Sequence, residues 1–278
     1  MPGSSDGVAG RLPVNGAELF VSQDGPVGAP WIVLLNSMAA DTSMWAPQVQ
    51  ALRVRYRVMC LDWRGHGRSR NEPGPYTLDM LAEDVTGAMS ALGVVRPHLV
   101  GTSLGGMIGM FLAIRQRVPL ASLTVCSALP RIAPAMAKWW NDVAARVRRE
   151  GVERAAVEAT ISRWFTPAYA QANPQVVQQT RRMIASTTTD AYVGCIAAFR
   201  GLDLDDDLAR IAVPTMFLVG ENDPASTPEI MRHMHQRVPN SRFEVVRNAA
   251  HLPSLERPEA VTRRLQAFIA DVVSRDAA

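Results

Sequence analysis

Short apolar runs alternate with longer amphipathic stretches along most of this chain. The run Trp31–Leu35 and those at 58–62 and 97–100 are continuous, which is typical of strands buried on both faces of a parallel sheet. Stretches such as 76–92 instead place apolar side chains at helical spacing. Strands that alternate with helices predict an α/β fold, with a mostly parallel sheet flanked by helices.

The same pattern continues on both sides of one interruption. Further strands are predicted at 120–126, 214–220 and 242–246, and further helices at about 44–54, 107–117, 227–238 and 258–273. Near the beginning of the chain, Asn15 and Gly16 separate two short runs and predict a β-hairpin.

Between residues 130 and 207 the alternation stops. This segment is rich in Ala, Arg and Gln, and its helical periodicity is divided by Pro134, Pro167 and Pro174, which predicts four short helices. We therefore expect a core from residues 11–129 and 208–278, with a helical cap inserted at 130–207. Residues 1–10 are rich in Gly and Ser and are expected to be disordered.

Composition and charge exclude several classes of function. The 278 residues include 29 Lys and Arg against 26 Asp and Glu, and the basic doublets are scattered, so no nucleic-acid partner is expected. No apolar stretch approaches the roughly 20 residues of a membrane span, and no signal peptide is recognised. The 3 cysteines lack CxxC spacing, which favours buried thiols and a reducing, cytoplasmic location.

A candidate nucleophile lies between a predicted strand and an apolar helix. Residues 101–105 read Gly-Thr-Ser-Leu-Gly, the G-x-S-x-G pattern of a nucleophile elbow, with Ser103 at its centre. The turn is tight, so the residues two before and two after the serine must be small. The competing interpretation is a glycine-rich turn with an incidental serine.

A serine hydroxyl needs a neighbouring base, and the chain offers 5 histidines. His251 follows the last predicted strand, where the chain order Ser, acid, His of this type of site places the base. His66, in an Arg-Gly-His-Gly loop, is the alternative and is better suited to a structural role. The other three are His98, at the start of a buried strand, and His233 and His235, on different sides of a helix.

The remaining parts of the site follow from the same order. Asp223, after the strand at 214–220, is the predicted acid, and Glu221 is its local competitor. Two main-chain N–H groups should stabilise the oxyanion, one from Leu104 and one from Met38 in the loop after Trp31–Leu35. The sequence contains no H-E-x-x-H, dinucleotide-binding or phosphate-loop motif, so neither a metal nor an organic cofactor is expected.

Several strings together resemble one known family, the 3-oxoadipate enol-lactonases of bacterial aromatic degradation. They are Asn-Ser-Met at 36–38, Ser-Met-Trp at 43–45, Asp-Trp-Arg-Gly-His-Gly at 62–67, Gly-Pro-Tyr-Thr at 74–77, Gly-Gly-Met-Ile-Gly at 105–109, Arg-Trp-Phe-Thr-Pro at 163–167 and Asp-Pro at 223–224. The resemblance extends from about residue 14 to 269. This chain departs from the family at 38–39, 126–132 and 253–254, near the predicted pocket.

The resemblance implies an α/β-hydrolase fold, with an eight-stranded sheet and a helical cap. It implies a serine hydrolase that opens an enol-lactone through an acyl-enzyme. Because such a substrate carries a carboxylate, the cap should supply a cation, with Arg131 as first candidate and Arg163 as second. Three tryptophans of the cap either line the pocket or pack the cap onto the core: Trp139, Trp140 and Trp164.

Other activities remain open for the same machinery. The chain could be a carboxylesterase, another lactonase, a hydrolase of C–C bonds in meta-cleavage products, or a cofactor-free perhydrolase. A ligand-binding receptor on the same scaffold is the alternative outside enzymes. Epoxide hydrolases and haloalkane dehalogenases need Asp at the elbow, so Ser103 argues against both.

Overall fold

The sheet of this protein, seen here in a computed structural model that describes residues 7–276, has eight strands in the order β1-β2-β4-β3-β5-β6-β7-β8. The strands are β1 (Val8–Val14), β2 (Ala17–Asp24), β3 (Trp31–Leu35), β4 (Arg57–Leu61), β5 (His98–Thr102), β6 (Ser122–Cys126), β7 (Thr215–Gly220) and β8 (Arg242–Val246). β1 and β2 are antiparallel to their neighbours, and all other pairs are parallel. The predicted α/β architecture is confirmed.

Helices flank this sheet. They are α1 (Ala46–Leu52), α2 (Leu78–Ala91), α3 (Leu104–Arg115), α4 (Pro134–Trp164), α5 (Pro167–Ala172), α6 (Pro174–Ala185), α7 (Thr189–Phe199), α8 (Pro228–Arg237), α9 (Pro253–Glu256) and α10 (Pro258–Asp276). One packed group contains α1, α9 and α10, and another contains α2 and α3. In the part of the chain that the structure describes, no helix is long and apolar enough to cross a membrane.

The apolar runs form the centre of the sheet. Every residue of β4, β5, β6 and β7 is buried, as expected for parallel strands covered on both faces. All three cysteines are buried free thiols, as the lack of CxxC spacing predicted.

The N-terminal hairpin corrects one expectation. Its turn is at Asn15 and Gly16 as predicted, but β1 begins at Val8, so residues 8–10 are part of a strand of the sheet. They pair with residues 21–23 of β2, whose main-chain N–H and C=O groups give them hydrogen-bond partners. The Gly- and Ser-rich composition of the segment does not indicate this pairing. Residues 1–6, which are also in the segment expected to be disordered, lie outside the described residues.

Between β6 and β7 the chain forms α4 to α7, in the segment 130–207 that we name the cap segment. Pro134, Pro167 and Pro174 each stand in the first turn of a helix, which explains how they divide the segment. The prediction of four short helices is wrong for α4, which has 31 residues and is interrupted only at Gly151.

Candidate active site

Ser103 occupies the sharp turn between β5 and α3. Its backbone has φ 54° and ψ −113°, a conformation that costs free energy for any residue with a side chain. A Cβ on Gly101 would lie 2.2 Å from the main chain of Gly105, and one on Gly105 would lie 2.4 Å from the carbonyl oxygen of Leu35. The close approach of these chains explains why glycine flanks the serine on both sides.

His251 and Asp223 lie together on the loops that follow β8 and β7. The imidazole Nδ1 is 2.9 Å from Asp223 Oδ2, and both side chains are buried. Asp223 Oδ1 accepts hydrogen bonds from the N–H groups of Ala225 and Ser226, at 2.9 and 3.1 Å. Burial alone would raise the pKa of Asp223, but the imidazole and these amides outweigh it and hold the pKa below its usual value.

An ionised Asp223 defines the protonation of the imidazole. Its carboxylate can accept a proton from His251 Nδ1, and in a neutral imidazole of that tautomer Nε2 is the nitrogen without a proton. The competing acid, Glu221, is exposed, and its carboxylate accepts from the N–H of Asn248.

The two predicted oxyanion donors lie on neighbouring loops. Leu104 is the first residue of α3, and Met38 follows β3. In residues 7–276, neither N–H has a hydrogen-bond acceptor. Two hydrogen bonds to the end of β4 and the loop after it fix the Met38 loop. Asn36 Nδ2 donates to the Leu61 carbonyl at 2.8 Å, and Trp63 Nε1 donates to the Asn36 carbonyl at 3.1 Å.

These groups open into one cavity of about 350 Å³. It is bounded by Ser103, His251, the Met38 loop and the cap segment, and most of its walls are apolar. The apolar lining residues are Met38, Ala39, Leu104, Met107, Leu129, Ile132, Met136, Trp139, Trp140, Trp164, Phe199, Pro224 and Ala225. Within the described residues, no group of three or more metal-ligating side chains is gathered anywhere.

Arg163 is the single Lys or Arg among the described residues that line this cavity, and no Asp or Glu lines it. Its guanidinium lies 5.3 Å from the ring centre of Trp139 and 5.7 Å from that of Trp140, and it donates to the Thr160 hydroxyl at 3.3 Å. Burial lowers its pKa, and Tyr192 opposes that change. An arginine stays charged in such a position, so, among residues 7–276, the cavity contains one arginine cation and no carboxylate that neutralises it.

The family-wide comparison decides the type of protein. A family model described as alpha/beta hydrolase fold matches residues 30–258, and this range includes Ser103, Asp223 and His251. The chain belongs to the α/β-hydrolase family.

Individual relatives agree with the resemblance seen in the sequence. This α/β-hydrolase is 34% identical to 3-oxoadipate enol-lactonase 1 of Acinetobacter baylyi, over 92% of this chain and 95% of the relative. A crystal structure of the enol-lactonase from Burkholderia xenovorans matches with TM-score 0.89 and 36% identity, over 94% of this chain and all of that one. A malate-bound thermophilic esterase from Thermogutta terrifontis matches with TM-score 0.89 and 30% identity, over 95% and 99% of the two chains.

One predicted site residue of this α/β-hydrolase is misplaced. Arg131, the first candidate for a substrate cation, is exposed and does not line the cavity, so the structure places it away from the other predicted site residues. Its main chain pairs with Asp203 in an isolated antiparallel bridge, and the alternation of side chains directs Ile132 to the cavity and Arg131 to solvent. The four other cap residues predicted to contact substrate do line the cavity: Trp139, Trp140, Arg163 and Trp164.

Proposed function

We propose that Ser103, His251 and Asp223 form a catalytic triad that hydrolyses a lactone through an acyl-enzyme. The observation that carries this proposal is that His251, which is 2.9 Å from Asp223, lines the same cavity as Ser103 on its strained turn. His251 Nε2 takes the Ser103 proton as the hydroxyl oxygen attacks the ester carbonyl. The N–H groups of Met38 and Leu104 then stabilise the negative charge on the carbonyl oxygen.

The second half of the reaction uses the same groups. Collapse of the tetrahedral intermediate breaks the ring C–O bond, and His251 Nε2 gives the Ser103 proton to the leaving oxygen. The resulting enol rearranges to a ketone while still joined to the acyl group. His251 then removes a proton from water, which attacks the Ser103 ester and releases the carboxylic acid. The proton returns from His251 to the Ser103 oxygen.

For the substrate, we propose an enol-lactone that bears a carboxylate, such as 3-oxoadipate enol-lactone. The names of the relatives support this choice, and so does the esterase that was solved with malate, a dicarboxylate. Arg163 would bind the carboxylate, because it is the one cation among the described cavity residues and its partners leave its charge unneutralised.

The first experiment measures lactone and ester turnover. Ser103→Ala should abolish both, and a fluorophosphonate probe should label the wild type but not this variant. Arg163→Met should raise KM for a carboxylate-bearing lactone about 10- to 100-fold, the value of a charge-assisted hydrogen bond, and should spare the matching neutral lactone.

Arg131→Met is the matched control, because it removes an exposed arginine of the same segment. It should leave both KM values unchanged. Undiminished turnover by Ser103→Ala would end the proposal, and an equal effect of Arg163→Met on charged and neutral lactones would remove the carboxylate role of Arg163.

The apolar walls favour a second candidate, a carboxylesterase for neutral esters. It predicts that kcat/KM rises as the acyl chain of a p-nitrophenyl ester is lengthened from two to eight carbons. If such esters exceed the anionic lactone in kcat/KM and Arg163→Met has no effect on either, the esterase assignment replaces the lactonase.

A further inference from the structure

Glu256, the last residue of α9, has a buried carboxylate that the proposed reaction does not use. The residue is 1% exposed. Its Oε2 accepts a hydrogen bond from the N–H of Ala250 at 2.7 Å, and its Oε1 accepts from the N–H of Thr166 at 3.1 Å and from the Thr166 hydroxyl. Burying a carboxylate is costly, and these bonds from two distant segments compensate for that cost.

Both segments are parts of the site. Ala250 directly precedes His251, and Thr166 lies three residues after Arg163. The two segments are also joined directly, because the N–H of His251 donates to the Arg163 carbonyl at 3.4 Å and the N–H of Leu252 donates to the Trp164 carbonyl at 3.2 Å. Residues 163–166 and 250–252 therefore form one hydrogen-bonded unit, with Glu256 bridging it from one side.

We propose that Glu256 is a positioning residue that holds the candidate base and the cap cation in one rigid arrangement. The His251 part of this proposal requires only serine-hydrolase chemistry, whereas the Arg163 part rests on the proposed function. A hydrogen bond from a main-chain N–H to a carboxylate is stronger than one to a neutral acceptor. The Glu256 carboxylate therefore restrains both segments more tightly than a glutamine side chain would. Displacement of a catalytic group by about 1 Å can cost about 100-fold in rate.

Glu256→Gln tests this role with little change in shape. Both carboxylate oxygens face N–H donors, and a glutamine amide presents an accepting oxygen on one side only, so at least one bridge is lost. For neutral p-nitrophenyl acetate we expect kcat to fall about 10- to 100-fold with KM nearly unchanged. For the carboxylate-bearing lactone we expect the same fall in kcat and, in addition, a higher KM.

A matched pair of threonine variants separates positioning from stability. Thr166→Val removes the hydroxyl that donates to Glu256. Thr180→Val removes a buried hydroxyl of the cap segment that, among the described residues, bonds within α6 to the Val176 carbonyl. The folded fraction of each variant is measured by circular dichroism under the assay conditions. Thr166→Val should lower kcat in the same direction as Glu256→Gln, and Thr180→Val should leave kcat per folded molecule unchanged.

Wild-type kcat in folded Glu256→Gln would overturn the proposal. The proposal would also be overturned if the activity of Glu256→Gln decreased only in proportion to its folded fraction, so that kcat per folded molecule stayed unchanged, as expected for Thr180→Val. A wild type that hydrolyses p-nitrophenyl acetate but no carboxylate-bearing lactone would instead reject the proposed substrate, and the comparison of kcat values would still decide the role of Glu256 toward His251.

Discussion

At the scale of single residues, two acidic side chains on one loop have different surroundings. Glu221 and Asp223 both follow β7, yet only Asp223 is buried and bonded to the imidazole of His251. The N–H groups of Ala225 and Ser226 bond one oxygen of Asp223 and leave the other for His251. The His251 imidazole does most to keep this carboxylate ionised, and the main-chain donors add to that effect and orient the carboxylate, as the proposed base requires.

His66 makes stability depend on pH. Its Nδ1 donates to the Arg64 carbonyl at 2.9 Å, and burial lowers its pKa to about 4. Below the ordinary histidine pKa of about 6.5, the unfolded chain binds a proton that the folded protein does not bind. The free energy of unfolding should therefore decrease as pH falls from about 6.5 toward 4, by about 2 kcal/mol between pH 7 and pH 5.

His66→Asn should remove this dependence while it keeps an N–H donor at the Nδ1 position for the Arg64 carbonyl. Urea unfolding at pH 7 and pH 5 measures the two losses, and the wild type should lose about 2 kcal/mol more than the variant. Burial raises the pKa of Asp62 to about 6, which acts in the opposite direction in both proteins. Equal losses in the two proteins would show that His66 does not titrate as proposed.

At the scale of elements, α4 depends on one residue for its shape. Gly151 has φ 80° and ψ 163°, a region that is nearly restricted to glycine, and it divides an otherwise continuous helix. A Cβ there would meet no atom within 4 Å, so the cost of replacing Gly151 comes from the backbone alone.

Gly151→Ala should therefore lower the free energy of unfolding by about 1 to 3 kcal/mol. Gly201→Ala is the matched control, because Gly201 also has open space but no positive φ. It should leave stability within about 0.5 kcal/mol of the wild type. Thermal and urea unfolding give both values, and equal effects of the two variants would contradict a conformational role for Gly151.

The elements also show where sequence patterns succeed. The Gly-x-Ser-x-Gly turn and the Asn15 hairpin were predictable, because local sterics and turn chemistry determine both. The orientation of Arg131 was not predictable, since it follows from the pairing of its main chain with Asp203, 72 residues away. The contacts of Glu256 were not predictable from the sequence for a similar reason. Its hydrogen bond from Thr166 spans 90 residues, and no local sequence pattern indicates it.

At the scale of the whole molecule, one buried ion pair joins three separate parts of the chain. Arg64, in the loop after β4, binds both carboxylate oxygens of Asp84 in α2, at 2.6 and 2.7 Å. Asn15, in the N-terminal hairpin, donates to Asp84 at 3.0 Å, and its carbonyl accepts from Arg64 at 2.7 Å. The side chain of Asp84 is fully buried and that of Arg64 is 7% exposed.

Removing one charge from this pair should cost far more than removing one from the surface. Asp84→Asn leaves the Arg64 guanidinium buried without its counter-charge, so the free energy of unfolding should fall by about 3 to 5 kcal/mol. Glu158→Gln, which breaks the exposed pair with Arg181, should cost less than about 1 kcal/mol. The double variant Arg64→Met/Asp84→Leu removes both charges together, so it should recover most of the loss in urea unfolding. A loss no larger for Asp84→Asn than for Glu158→Gln would mean that the hairpin, the loop and α2 are held together by apolar packing instead.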